Sequence, residues 1–106
     1  MNNKEYLEFT RTTAVYPKEL AIPYLALGLG EAGEVQGKVK KYLRGDTELT
    51  EEYKRKIFDE CSDVLWYLTR LADELGFTLD ELIEFNVQKL TDRKKRDVIK
   101  GSGDNR

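Results

Sequence analysis

Apolar residues recur at helical spacing along most of the chain, and proline, glycine and threonine-rich punctuation divides them into segments. Tyr6, Leu7, Phe9 and Thr10 give a loose helical pattern, which predicts a first helix from about Lys4 to about Ala14. Val15-Tyr16-Pro17-Lys18-Glu19 holds a proline and predicts a break, while Pro23 suits the first turn of the next helix. That second helix is expected to run to Leu43 or Arg44 and to stop at Gly45-Asp46, with Lys40, Lys41 and Arg44 complementing its C-terminal dipole. A third begins after Thr50, where Glu51 and Glu52 load the first turn, and ends at Gly76. The fourth opens with the capping box Thr78-Leu79-Asp80-Glu81 and continues to about Lys94 or Lys95. No internal linker interrupts this series. One all-α domain over residues 1–100 is expected, with a C-terminal tail at 101–106.

Within the second helix, Leu25, Leu29, Ala32, Val35, Val39 and Leu43 form an apolar stripe that reads as core. Nearly opposite lie Ala26, Gly30, Gly33 and Gly37. Each glycine inside a helix costs about 0.5 to 1 kcal/mol relative to alanine, so three on one edge predict that another helix or a ligand comes close there. Leu27, Glu31, Glu34 and Lys38 share the face between the stripes. The third helix has a broad apolar arc of Ile57, Phe58, Cys61, Val64, Leu65, Tyr67, Leu68, Leu71, Ala72 and Leu75. Cys61 reads as a small buried hydrophobe. Glu60 falls inside the arc, and Asp63 stands at its polar margin near Lys56 and Arg70. With Trp66 on the remaining side, this helix is apolar around more girth than a single small chain covers, so self-association is expected.

Glu31 and Glu34 on one helix, and Glu60 and Asp63 on the next, lie at similar distances from a turn centred near Thr47. Each pair is about 22 Å from that turn at 1.5 Å rise per residue, so an antiparallel hairpin brings four acids to one level. Two carboxylates about 6 Å apart repel by roughly 3 kcal/mol at an effective dielectric of 20, and a compensating cation is required. Oxygen ligands of this kind suit magnesium better than zinc. Two other pairings compete with that reading. Glu34 and Lys38 would make a solvated i, i+4 pair, and Glu60 would pair with Lys56 or with an arginine of another subunit.

Composition narrows the chemistry. The chain contains no histidine, which excludes histidine triads, histidine zinc sites and Glu-x-x-His di-iron sites. A net charge of −2 and pI near 5.3 provide no global positive field for a nucleic-acid polymer, although a free nucleotide needs only a local basic patch. Cys61 is the one cysteine and makes no internal disulfide. With no signal-peptide pattern and no apolar run of membrane-spanning length, the expected compartment is the cytoplasm, without a membrane partner.

Leu29-Gly30-Glu31-Ala32-Gly33-Glu34, then Asp59-Glu60-Cys61-Ser62-Asp63-Val64-Leu65-Trp66-Tyr67, then Asn86, Lys89 and Arg93 in Asn-x-x-Lys-x-x-x-Arg spacing, resemble the motifs of the MazG-like nucleoside triphosphate pyrophosphohydrolases. The resemblance covers about Leu20 to Arg93. It implies a four- to five-helix bundle with an antiparallel central hairpin, completed by oligomerisation, a dimer of dimers being favoured over a dimer. It further implies hydrolysis of a (deoxy)nucleoside triphosphate, with a lean to deoxynucleotides, to the monophosphate and pyrophosphate. Magnesium would be the cofactor, with manganese as a substitute. Glu31, Glu34, Glu60 and Asp63 would be ligands, one glutamate doubling as base, and Asn86, Lys89 and Arg93 would meet the phosphates. Lys38 could also face the phosphates, Trp66 and Tyr67 could stack on the base or serve as core, and Arg106 could fold over the polyphosphate. Two other classes fit the same residues: a nucleotide-binding regulatory module without turnover, and a structural helical oligomer whose acids pair across an interface.

Overall fold

Helix ends carry most of the local folding information, and they match side chains able to satisfy the unpaired terminal amides and carbonyls. The structure, a computed structural model, describes residues 1–96. Helix α1 (Asn3–Arg11) opens on an Asn2/Glu5 capping box. Helix α4 (Glu51–Glu74) starts at Thr50, whose hydroxyl accepts from the Tyr53 amide, and α5 (Leu79–Lys95) starts at the reciprocal Thr78/Glu81 box. Between α1 and α4 lie α2 (Ala21–Gly28) and α3 (Ala32–Leu43). Gly45 ends α3 at φ +84° and Gly76 ends α4 at φ +88°. In both places the residue after the glycine donates back five positions, Asp46 to Lys41 and Phe77 to Ala72, which is the Schellman closure that favours glycine.

Two boundaries depart from the sequence reading. Helix α1 stops at Arg11 rather than near Ala14, because the Thr12 and Thr13 hydroxyls donate to the Phe9 and Thr10 carbonyls and close the last turn. The expected second helix starts at Ala21 and is divided by a 3₁₀ turn at Leu29–Glu31, so α2, the turn and α3 make one helical run with a tighter middle. Asp97 to Arg106, including the tail at 101–106, lies outside the described residues.

Helices α3 and α4 form an antiparallel hairpin, tied by the Tyr53 hydroxyl donating to the Lys38 carbonyl at 2.7 Å. The tightest packing is at the other end of α4, where Leu7, Ala21, Leu25, Ala72 and Leu79 are buried together with Thr10, Thr69 and Arg70. That is a small core, and it covers only part of the apolar surface. Of the stripe read as core on the second helix, Leu25 is buried, whereas Val39 and Leu43 are exposed. Phe58 is 76% exposed, and Cys61 is exposed rather than buried, because no element among the described residues covers the N-terminal half of the α4 arc on that side. The glycine edge differs as well. A methyl added at Gly30, Gly33 or Gly37 would meet nothing within 4 Å, so none of the described residues makes the close approach expected there.

Candidate functional site

The 3₁₀ turn ends on Glu31, and the hairpin sets that residue against the middle of α4. Ligand oxygens of Glu31, Glu60 and Asp63 all lie within 4.8 Å of one another. Glu31 and Glu60 are half-buried and Asp63 is exposed. Thr47 is equidistant in sequence from Glu31 and Asp63, which is the hairpin geometry that makes this meeting possible. Glu34, in the first turn of α3, is exposed and is not one of the three converging groups.

One cation faces this cluster among the described residues. Lys38 Nζ is 3.7 Å from Glu60 Oε1, a long ion pair that crosses between the helices. Lys38 therefore serves Glu60 rather than Glu34, and Lys56 is not the partner of Glu60. At an effective dielectric of 20, each pair of charged carboxylates at this spacing repels by about 3 kcal/mol, and a single ammonium on one edge offsets only part of three such terms. Hard oxygen donors at this mutual distance fit a divalent ion with waters completing its shell.

Glu31, Asp63, Trp66 and Tyr67 line an open cavity of about 250 Å³. Trp66 and Tyr67 meet edge to face with centroids 5.0 Å apart, and the Trp66 indole N–H donates to the Thr13 hydroxyl at 2.7 Å. Tyr16 stacks on Tyr24 at 5.5 Å and meets Trp66 edge-on at 6.3 Å. Burial of the Tyr67 phenol, with Tyr24, Glu31 and Asp63 beside it, pushes its pKa above the ordinary value and keeps it protonated at neutral pH. The sequence reading named Trp66 and Tyr67 but missed Thr13, Tyr16, Tyr24 and Gly28 of this wall. The aromatic pair flanking Pro17 and Pro23 was the available signal.

The basic residues stand apart. Asn86 and Lys89 are exposed on α5 and Arg93 is half-buried, and none of them lines the cavity. The Lys89 ammonium sits 4.7 Å from the Phe85 ring centroid. Helix α5 packs against α1 and α4 and makes no contact with α2 or α3. Arg106 lies outside the described residues.

No helix of the described residues is long and apolar enough to cross a membrane. No solved structure matches the chain significantly. A phage relative, the Gene 37 protein of Mycobacterium phage L5, is 43% identical over 102 residues, spanning 89% of this chain and 90% of that protein. The family model for the MazG nucleotide pyrophosphohydrolase domain matches residues 18–98, which include the 3₁₀ turn, all four candidate acids and the basic residues of α5. This all-α chain therefore belongs to the MazG nucleotide pyrophosphohydrolase family.

Proposed function

We propose that the protein hydrolyses nucleoside triphosphates, deoxynucleotides foremost, to the monophosphate and pyrophosphate with magnesium, in the cytoplasm. The observation that carries this reading is the convergence of three carboxylates around a single long-range lysine contact. Glu31, Glu60 and Asp63 would hold the ion, with Glu34 joining from the adjacent turn of α3 or accepting a proton from water. When bound, the ion would supply positive charge to the polyphosphate oxygens for hydrolysis of the α–β phosphoanhydride bond. Lys38, at the edge of the cluster, neutralises Glu60 and orients it. The aromatic wall of Trp66 and Tyr67 offers the base an apolar face. Lys89 and Arg93 would neutralise the leaving pyrophosphate, and Asn86 would donate a hydrogen bond to it.

Self-association completes the reading. A cavity of about 250 Å³ is smaller than the roughly 300 to 1,000 Å³ usual for ligand sites, so a nucleotide would need further walls. An apolar groove of about 560 Å³ between α4 and α5, lined by Leu68, Leu71, Leu75, Leu82 and Phe85 among others, supports a homo-oligomer, and the family resemblance favours a dimer of dimers. Sedimentation at micromolar concentration is expected to show more than the monomer mass.

The deciding experiment is pyrophosphate release across a full set of (d)NTPs with magnesium or manganese, on wild type and on Glu60→Gln. Release by wild type and none by the variant is expected. Calorimetric nucleotide binding without product would instead select a nucleotide-binding oligomer without turnover.

A further inference from the structure

We propose that Gly28 is a positioning residue for Glu31: with no side chain at 28, the Tyr67 ring lies directly on the last turn of α2 and fixes the 3₁₀ turn that carries Glu31 to Glu60 and Asp63. This inference rests on the metal reading above and names a device that sets its geometry.

Two consecutive elements meet at this point. Gly28 is the last residue of α2, and the 3₁₀ turn begins at Leu29 and ends at Glu31. Tyr67 lies one helical turn beyond Asp63 on α4, so the face that presents the carboxylate also presents the ring. An added Cβ at Gly28 would lie 2.8 Å from Tyr67 Cζ and closer still to Cε1 and Cδ1, well inside ordinary van der Waals contact. Three atoms of one rigid ring are involved, so no small torsion of a side-chain tip relieves the overlap. The ring also meets the Trp66 indole edge to face, with centroids 5.0 Å apart. Gly30, Gly33 and Gly37 have open space where their side chains would be, so the contact at Gly28 is specific among the glycines of this helical run. Either the ring or the α2 end must move when position 28 gains a methyl. Both movements change the spacing between Glu31 and Asp63, and a ligand set tolerates displacements of only about 0.5 Å before affinity falls.

The test uses the full chain, with manganese alone as the probe, read by calorimetry and by the fluorescence of Trp66, the sole tryptophan. Gly28→Ala is expected to weaken Mn²⁺ binding tenfold or more and to change Trp66 emission, whereas Gly37→Ala keeps wild-type affinity. Tyr67→Ala removes the ring, so Gly28→Ala added to Tyr67→Ala is expected to cause no further loss. That pair still decides the matter if Gly28→Ala alone does not fold. Undiminished Mn²⁺ binding by Gly28→Ala, an equal loss in Gly37→Ala, or a full additional loss in the Tyr67→Ala background each overturns the role of Gly28 while leaving the metal reading standing. Absence of Mn²⁺ binding by the wild type overturns both.

Discussion

Helix α4 carries two groups of acids, one at each half, and the chain treats them oppositely. Near its C-terminus, Asp73 accepts two bonds from Arg11 at 2.8 and 2.9 Å and one from Arg70 at 2.7 Å, while Glu74 accepts from Arg70 and from the Tyr16 hydroxyl. The Arg70 side chain is only 3% exposed, and it also donates to Tyr16 and Thr10. Every charge there has a counter-charge at hydrogen-bond distance. In the middle of the helix, Glu60 and Asp63 are joined by Glu31, and Lys38 pairs with Glu60 at 3.7 Å. Identical residue types on one helix thus build a closed structural clamp and an open cluster short of positive charge. The deficit, rather than the acids themselves, is what suits the second group to an added cation.

Removing a charge has different consequences at the two places. The largest effect belongs to the open cluster: Glu60→Gln or Asp63→Asn is expected to lower pyrophosphate release at least about 10³-fold, roughly 4 kcal/mol in barrier, with an unfolding temperature unchanged or raised in metal-free buffer. A large loss of metal-free stability in these variants would erase the distinction. Next, Arg70→Met is expected to reduce folding stability by about 3 kcal/mol in a urea titration, because Asp73, Glu74 and Tyr16 lose their common donor. Magnesium at about a hundred times its dissociation constant should then raise the unfolding free energy by about 2.7 kcal/mol, an increment lost in Glu60→Gln and retained in Arg70→Met.

The smallest effect is a pH dependence from the clamp. Hydrogen bonds from Arg11, opposed by burial and reinforced by Arg70, hold the Asp73 carboxyl at a pKa of about 2. The folded value lies below the unfolded one, so this contribution is fully present above about pH 4 and is lost as the pH falls towards 2. It is worth on the order of 1 to 2 kcal/mol, reduced from the full shift because Arg11 is open to solvent. Stability measured between pH 4 and 2 should fall more steeply in wild type than in Asp73→Asn.

Much of the fold was legible because helix ends write themselves locally. Thr50, Thr78 with Glu81, Gly45 and Gly76 each act within a few residues, and each sits where the pattern placed it. The meeting of Glu31 with Glu60 and Asp63 was legible for a related reason, since equal distances from one turn follow from counting. Contacts made across the bundle were not. Arg70 was read as a neighbour of Asp63, but α1 and Tyr16 draw it to the other side. Cys61 and Phe58 occupy an apolar arc that the other described residues leave uncovered. The contact beside the 3₁₀ turn was hidden because a ring from a residue 39 positions later resting on Gly28 leaves no periodic trace.

Helix α5 behaves mechanically as a cantilever. Its root is fixed by buried Leu79 and by the Asn3 amide bonded to Asp80 at 2.8 Å, whereas the following side chains through Asp92 are all exposed. Arg93 lies about 20 Å along the shaft from that root, so a ten-degree change of direction at Phe77 carries it through roughly 4 Å. The reach of the basic residues is thereby governed by whatever surface the shaft rests upon.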